Sequence, residues 1–478
     1  MTSAGVPLCV DCDGTLLRTD LLHEAVLRIL KRRPWMLFAM IGWLLAGKAD
    51  FKARVAAQAP LDAETLPFRD EVMALIGRAR AEGRPVILAT AADSTHARAV
   101  ADHLGVFDDV LSTDRDRNLA SHAKAAALVE RYGASGFDYV GDGKADIAIW
   151  AAARRAYVVA ATRDLSRRFR RGRMEVEALG SPAGAARPLL KALRPHQWLK
   201  NLLVFLPPMA GHRFGADVVA HALLAFAAFS LCASSVYVLN DLLDVDADRR
   251  HARKRLRPFA AGTLKIATGI KLVPLLFAAS LVLAMAAGPL FLAVLLIYAA
   301  ITTLYSFKLK QQVIVDVMLL ASLYTMRIIG GSAATHVTPS FWLLAFSMFL
   351  FFSLALVKRY SELLPLAGKA GELLAGRGYR AADLPVLLAA GVASGMNAVL
   401  VLAFYVDQET TREMYPSAHA ILLAPVLILY WVARLWMKAH RGEVHDDPVV
   451  FAARDWQTLV IAACIGVLFV MAGTRLLA

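Results

Sequence analysis

Three carboxylates, Asp241, Asp244 and Asp248, follow Asn240 at spacings of i, i+3 and i+7, so one continuous helix would present all three on a single face. Unit charges about 4 Å apart at a protein surface repel by roughly 4 kcal/mol, and such a face calls for a cation. Hard cations such as Mg²⁺ take oxygen ligands and share them with substrate phosphates, so the motif reads as a metal–diphosphate site. A second set begins at Asp11-Cys12-Asp13-Gly14-Thr15 and continues through Thr90, Lys124 and Gly141-Asp142-Gly143-Lys144-Ala145-Asp146. Asp11 is placed to act as a nucleophile and Asp13 as a proton donor. Asp142 and Asp146 would hold a metal with them, and a hydroxyl and an ammonium would meet phosphoryl oxygens.

These groups need two kinds of scaffold. Residues up to about 160 alternate short β-branched runs with helical stretches, which predicts an α/β sheet. The predicted strands are Leu8–Val10, Val86–Ala89, Tyr139–Val140 and Tyr157–Val159. The first puts Asp11 and Asp13 at a carboxyl end, where α/β sheets bind ligands. A helical insertion over residues 17–84 separates the first two strands. Within it, the apolar run Pro34 to Leu45 is flanked by Lys31, Arg32, Arg33 and Lys48 and is too short to span a bilayer. It suits either a buried cap helix or an interfacial one. Met1 to Pro7 lacks the basic start of a signal peptide, which predicts a cytoplasmic N-terminal domain.

Beyond residue 194 the chain changes character. Overall it is 58% apolar with a net charge of +14 and a mean hydropathy of +0.51. Nine apolar segments are expected, centred near residues 205, 228, 277, 298, 324, 349, 394, 427 and 467. The connections after the second, fourth, sixth and eighth carry most of the Lys and Arg, with Arg213 and Arg412 as exceptions. That asymmetry predicts an integral plasma-membrane protein with the Asp motif and N-terminus cytoplasmic and the C-terminus outside. The basic excess is thus assigned to topology, not to nucleic acid. The arginines from Arg163 to Arg173 are expected to meet anionic lipid in a linker spanning 163–193. The four cysteines form no disulfide framework and are expected to be packing residues. Gly391-x-x-x-Gly395 suits close helix packing within one chain or in a homo-oligomer.

On the cytoplasmic side, Lys200, Arg255, Tyr305, Lys310, Lys358 and Arg359 join the Asp motif, and Asp316 and Arg327 lie inside a span. Ionisable groups in a span are costly and are candidates for function, or for structural pairing with each other or with neighbours. Together these groups suit cleavage of a diphosphate ester. Lys and Arg would clamp the oxygens, and an allylic or sugar cation would be left behind.

Asn240-Asp241-x-x-Asp244-x-x-x-Asp248 on nine apolar segments resembles the UbiA superfamily of intramembrane prenyltransferases. Further stretches are similar to its decaprenyl-phosphate phosphoribosyltransferase branch: Arg194-Pro195-x-Gln197-Trp198-x-Lys200-Asn201, Asp248-Arg249-x-His251-x-x-Lys254-Arg255-x-Arg257-Pro258, Tyr305-Ser306-x-x-Leu309-Lys310, Lys358-Arg359-Tyr360-x-Glu362 and His440-Arg441-Gly442-x-x-x-Asp446-Asp447-Pro448. This resemblance implies an all-α transmembrane transferase over 194–478. It would use Mg²⁺, phosphoribosyl diphosphate and a polyprenyl phosphate, in cell-envelope biosynthesis. Aromatic-substrate relatives carry a second acidic motif where Lys358-Arg359-x-x-Glu362 stands, and the exchange favours a donor with an extra phosphate. Asp-x-Asp-Gly-Thr with the downstream Gly-Asp-x-x-x-Asp resembles the haloacid dehalogenase (HAD) superfamily of Mg²⁺-dependent phosphatases, over 1–162 with the cap at 17–84. It implies Asp11 as nucleophile, Asp13 as acid/base, Thr90 and Lys124 as phosphate binders, and Asp142 with Asp146 around the metal. The expectation is therefore a bifunctional enzyme. The alternative is a prenyl diphosphate-dependent transferase with an aromatic or quinone acceptor and an independent or regulatory HAD domain.

Overall fold

The computed structural model describes residues 5–114, 118–160, 176–180, 184, 186–368, 373–374, 377–415, 417, 421–444 and 447–473. The arginines from 163 to 173, together with Asp446, lie outside the described residues. The chain divides into two units, the first formed by 1–193 with 237–273 and the second by 194–236 with 274–478.

In the first unit, the strands β1 (Leu8–Val10), β2 (Val86–Asp93), β3 (Asp109–Thr113), β4 (Asp138–Gly141), β5 (Arg155–Val159) and β6 (Val176–Leu179) form one sheet. Their order is β3-β2-β1-β4-β5-β6, and every pairing is parallel. Parallel strands covered on both faces read as short continuous apolar runs, and β1 and β4 are buried throughout. All four predicted strands are present, with β1 matching residue for residue. Two strands escaped prediction. The sixth extends the sheet into the stretch assigned to a linker, so the α/β fold continues past residue 162.

Between β1 and β2 the insertion folds as helices α1 (Leu21–Arg32), α2 (Met36–Ala46), α3 (Lys48–Gln58) and α4 (Asp70–Ala81). Asp20 caps α1 by accepting from the His23 N–H. Ala25 and Ile29 of α1, Met40 of α2, and Val55 and Ala59 form a small core of their own.

The second unit is helical, with its apolar packing in three clusters among the described residues. Among the described residues, seven helices are long and apolar enough to cross a membrane: Ala216–Leu243, Ile266–Ala287, Pro289–Phe307, Val315–Thr335, Phe341–Leu366, Ala381–Asp407 and Trp456–Gly473. Two of the nine expected segments do not reach that standard. The one near 205 is a 3₁₀ stretch, Pro195–Phe205, followed by the short helix Leu206–Ala210. The one near 427 is the helix Leu423–His440, which carries Arg434 and Lys438. A Cβ at Gly391 would meet the Trp436 ring at 2.0 Å, and one at Gly395 would meet Val432 Cγ1 at 2.5 Å. That glycine pair therefore packs against a helix of its own chain. Cys9, Cys12 and Cys232 are buried, whereas Cys464 is exposed and is not the packing residue expected.

Candidate active sites

At the carboxyl ends of β1, β2 and β4 the residues of the Asp11 motif and its downstream partners converge. Asp11 follows β1, where its N–H donates to Val140 O at 3.0 Å. Lys124, on the helix His122–Tyr132, donates to Asp11 Oδ1 at 2.7 Å and to the Tyr139 hydroxyl at 3.0 Å. Tyr139 in turn donates to Asp146 Oδ1 at 2.9 Å. Asp146 Oδ2 accepts from the N–H groups of Asp142 at 3.2 Å and Gly143 at 3.1 Å. Thr90 is fully buried and accepts from the Ala92 N–H at 3.0 Å, which leaves its own O–H to donate. Tyr139 was missed because a tyrosine in a β-run gives no catalytic signal until the fold sets it between Lys124 and Asp146.

Asp11, Asp142 and Asp146 each offer a carboxylate oxygen within 4.8 Å of the others, the one such trio among the described residues. An all-oxygen anionic set of this kind fits a hard divalent cation. Gly14 makes room for it: φ is +78°, and a Cβ there would meet Asp142 Oδ2 at 2.6 Å. Asp13 stands apart from the trio, with Oδ1 accepting from the Leu21 N–H at 2.9 Å. Its side-chain carboxylate is therefore not in the metal set that the sequence suggested.

The titration of this cluster follows from burial. Burial pushes the Asp11 carboxyl up to about 6; Lys124 opposes the shift, while Asp146 and Asp142 add to it. Burial, then the charge of Asp20, hold Asp13 well above the carboxylate range, and Leu21 N–H opposes this weakly. A carboxyl whose pKa is raised in this way holds its proton more firmly and is better suited to act as a proton donor. A raised Asp11 pKa means that at pH 6 about half of that carboxyl is protonated, whereas cation binding requires the carboxylate. Mg²⁺ loading at pH 6 should release about half a proton more from the native chain than from Asp11→Asn, and the difference should vanish by pH 8. Calorimetry in two buffers of different ionisation heat measures this; equal release from both proteins at pH 6 would remove Asp11 from the metal set.

The second motif is arranged differently from the expected helix face. The helix Ala216–Leu243 ends just before Asp244, and a new turn, Val245–Arg249, begins after it. Arg257 Nη1 lies 3.1 Å from Asp241 Oδ1 and 2.7 Å from Asp248 Oδ2, so these two buried carboxylates bracket one cationic group. Burial raises the Asp248 pKa against the pull of Arg257. Asp244 instead receives Lys31 Nζ from α1 at 2.7 Å. The interrupted helix thus splits the three carboxylates into a pair and a single. Asp241 and Asp248 offer the oxygen pair that a hard cation would use, and the guanidinium occupies that gap here. Asn240 contributes its carbonyl to the Asp244 N–H at 2.9 Å, and Arg255 is exposed.

The segment after the motif is built into the α/β unit. Arg28 forks onto Asp246 with bonds of 2.8 and 2.9 Å. Arg249 forks onto Glu24 with bonds of 2.9 and 2.6 Å, and both side chains are at most 5% exposed. Removing one partner of a buried pair leaves an uncompensated charge and costs about 3–5 kcal/mol. Arg249→Met should therefore raise hydrogen exchange across 245–263, while Glu24→Gln with Arg249→Met should recover much of the protection. No recovery would mean that the pair does not hold this segment.

In the second unit, Lys200 Nζ donates to Asp447 Oδ2 at 2.6 Å and Lys358 Nζ does so at 3.3 Å, with the Tyr324 hydroxyl 3.3 Å from Oδ1. Burial resists ionisation of Asp447, but Lys358 and Lys200 outweigh it and hold the carboxyl below its ordinary range. Asp447 was not among the expected site residues; the Asp446-Asp447-Pro448 signal was present but gave no partner. Asp316 and Arg327 do not pair with each other. Arg327 donates to Asn201 Oδ1 at 2.7 Å and the Tyr298 hydroxyl at 2.8 Å. Asp316 is fully buried with Arg359 Nη2 at 2.7 Å, Arg377 Nη1 at 3.3 Å and the Tyr379 hydroxyl at 2.7 Å. Arg359 is itself fully buried, so its guanidinium serves this internal network. Arg377 also donates to the Tyr305 hydroxyl at 2.8 Å and to the Lys310 carbonyl at 3.3 Å.

A parallel α/β sheet with a carboxylate trio at its strand ends, in a chain with seven helices of membrane-crossing length among the described residues, defines an integral membrane protein with a separate α/β unit. The chain belongs to the UbiA prenyltransferase family, whose family model matches residues 203–443. It is 35% identical to the uncharacterized protein y4nM of Sinorhizobium fredii over 473 residues, 98% of this chain and 91% of that one. It is also 40% identical to the decaprenyl-phosphate phosphoribosyltransferase of Mycolicibacterium smegmatis over 189 residues, 38% of this chain and 59% of that relative, less than two thirds of it. Among solved structures, a UbiA homologue from Archaeoglobus fulgidus bound to GPP and Mg²⁺ aligns at 19% identity over 60% of this chain and 100% of that one, TM-score 0.46. A HAD family hydrolase from Salmonella enterica aligns at 13% identity over 34% of this chain and 65% of that one, TM-score 0.26.

Proposed function

We propose that the chain transfers 5-phosphoribose from phosphoribosyl diphosphate to a polyprenyl phosphate, and that its α/β unit then removes the 5-phosphate. The observation that carries the first half is the 40% identity, over 38% of this chain, with a decaprenyl-phosphate phosphoribosyltransferase, taken with an Asp motif whose Asp241 and Asp248 bracket the Arg257 guanidinium. A phosphate oxygen of the acceptor attacks the anomeric carbon as the bond to the diphosphate breaks, and diphosphate leaves. Asp241 and Asp248 would hold Mg²⁺, which when bound would supply neutralising charge for the departing diphosphate. Lys200 and Lys358, already drawn together on Asp447, supply cationic contacts for a substrate phosphate.

The second half rests on the Asp11 cluster. Asp11 attacks the phosphorus of a phosphomonoester, the ester bond breaks, and Asp13 gives its proton to the departing oxygen. Water then attacks the aspartyl phosphate with Asp13 as base, freeing phosphate and Asp11. Lys124 and the Thr90 hydroxyl meet the phosphoryl oxygens, and Mg²⁺ at Asp11, Asp142 and Asp146 would offset their charge. The domain order read from the sequence belongs to the same proposal, with the phosphatase domain and the transferase site both cytoplasmic. Joining the two activities in one chain raises the effective concentration of product at the second site. Purified full-length protein given polyprenyl phosphate, phosphoribosyl diphosphate and Mg²⁺ should yield polyprenyl-phosphoribose and then its dephosphorylated form by mass spectrometry. No consumption of phosphoribosyl diphosphate would sink the transferase half.

A further inference from the structure

We propose that α2 is an in-plane membrane anchor, with its outward face lying in the boundary between lipid headgroups and acyl chains. Among the described residues of 1–193, every exposed large apolar side chain except Leu190 falls between Trp35 and Leu45. They are Trp35, Leu37, Phe38, Ile41, Leu44 and Leu45, with Phe38 77% and Leu45 84% exposed. Water-soluble surfaces seldom concentrate large apolar groups in this way without a partner. The opposite side of the helix is fixed: Met40 is buried in the core of the insertion, with Met36 and Trp43 packed against it. Eleven residues rise about 16 Å, half the roughly 30 Å of a bilayer's hydrocarbon, so the helix lies in the interface and does not cross it.

Two further observations choose lipid over a protein partner. The flanks are basic, with Arg32, Arg33 and Lys48 exposed and no acidic residue between Glu24 and Asp50. That complements an anionic leaflet, which attracts Lys and Arg lying near the membrane surface. The helix is also tethered beside a span. Lys31 at the end of α1 pairs at 2.7 Å with Asp244, the residue after the membrane-length helix Ala216–Leu243. Met36 follows Lys31 by five residues, at most about 18 Å of extended backbone. The start of α2 is therefore held within that reach of the residue at which this span ends, inside the same unit.

The consequence for function rests on the phosphatase reading: the cap would face substrates whose phosphate is carried at the membrane surface. The anchoring itself does not depend on that reading. The experiment uses the full chain with Cys464→Ser, carrying a fluorophore on Phe38→Cys, in vesicles of phosphatidylcholine and phosphatidylglycerol. Glu64→Cys, at an exposed position in the same insertion, is the control. Lipids brominated near the headgroup should quench the Phe38 label several-fold more than the Glu64 label, and aqueous iodide should show the reverse order. Equal iodide access at both positions overturns the proposal. So does a Phe38 label shielded from iodide yet untouched by brominated lipid, because a second copy or another protein would then cover the face. As a further readout, Phe38→Ser with Leu45→Ser should raise KM about ten-fold for a lipid-borne phosphomonoester and leave p-nitrophenyl phosphate turnover unchanged. Loss of both turnovers in the native chain would instead speak against the phosphatase reading while leaving the quenching result standing.

Discussion

Asp11→Asn in the full chain is expected to halt the reaction sequence at the phosphorylated lipid. The lipid product should be heavier than that of the native protein by one phosphoryl group (HPO₃), with phosphate release falling by at least 10³-fold. The substitution keeps the shape of the side chain and the backbone bond from the Asp11 N–H to Val140, but removes the oxygen that attacks phosphorus. It also deprives Lys124 of its ionic partner at 2.7 Å and takes one carboxylate from the Asp142–Asp146 set. Asp11 belongs to none of the pairs that Glu24, Arg28 or Lys31 make with the Asp motif segment. Consumption of phosphoribosyl diphosphate should consequently stay within about two-fold of the native rate, a change below roughly 0.4 kcal/mol. Lipid mass spectrometry and a phosphate assay read the two steps separately. A native-like dephosphorylated product from Asp11→Asn would take this role away from the α/β unit.

The α/β unit was legible because its chemistry is local in the chain. Asp11 and Asp13 sit directly after a three-residue apolar strand, and strand ends are where such sheets expose side chains. β3 and β6 were not legible. β3 is only partly buried and carries Asp109, Ser112 and Thr113, and β6 is a four-residue run with its two central residues exposed, so neither shows the apolar pattern of a buried strand. Helix periodicity predicted a single face for Asp241, Asp244 and Asp248, yet it could not register the break at Asp244. The pairing of Lys31 with Asp244 joins residues 213 apart in the chain, and no local pattern carries such information. Arg359 shows the same limit from the other side. Its sequence position beside Lys358 suggested substrate, whereas the fold buries it against Asp316. A charge beyond the end of an apolar segment looks the same in sequence whether it faces a ligand or another helix.

Asp241→Asn and Asp248→Asn should each lower transfer from phosphoribosyl diphosphate by at least 10³-fold, about 4 kcal/mol of transition-state stabilisation. Both carboxylates are buried, at 2% and 3% exposure, and both point at the Arg257 guanidinium. A neutral amide in either place halves the charge available to hold a cation against a departing diphosphate. The cost falls on the step in which that charge develops, so kcat should fall far more than KM rises. Asp248→Asn tests the site under a further constraint. Burial raises the native Asp248 pKa, so lowering the pH protonates it earlier than an ordinary carboxylate and should reduce transfer in the native chain. That acid limb should be lost in whatever activity Asp248→Asn retains. Hydrolysis of p-nitrophenyl phosphate by the Asp11 site serves as the internal control for folding and should remain within two-fold. A loss of transfer smaller than about ten-fold in both variants, with hydrolysis intact, would place the diphosphate elsewhere and leave the Asp motif as a structural clamp on the segment held by Glu24 and Arg28.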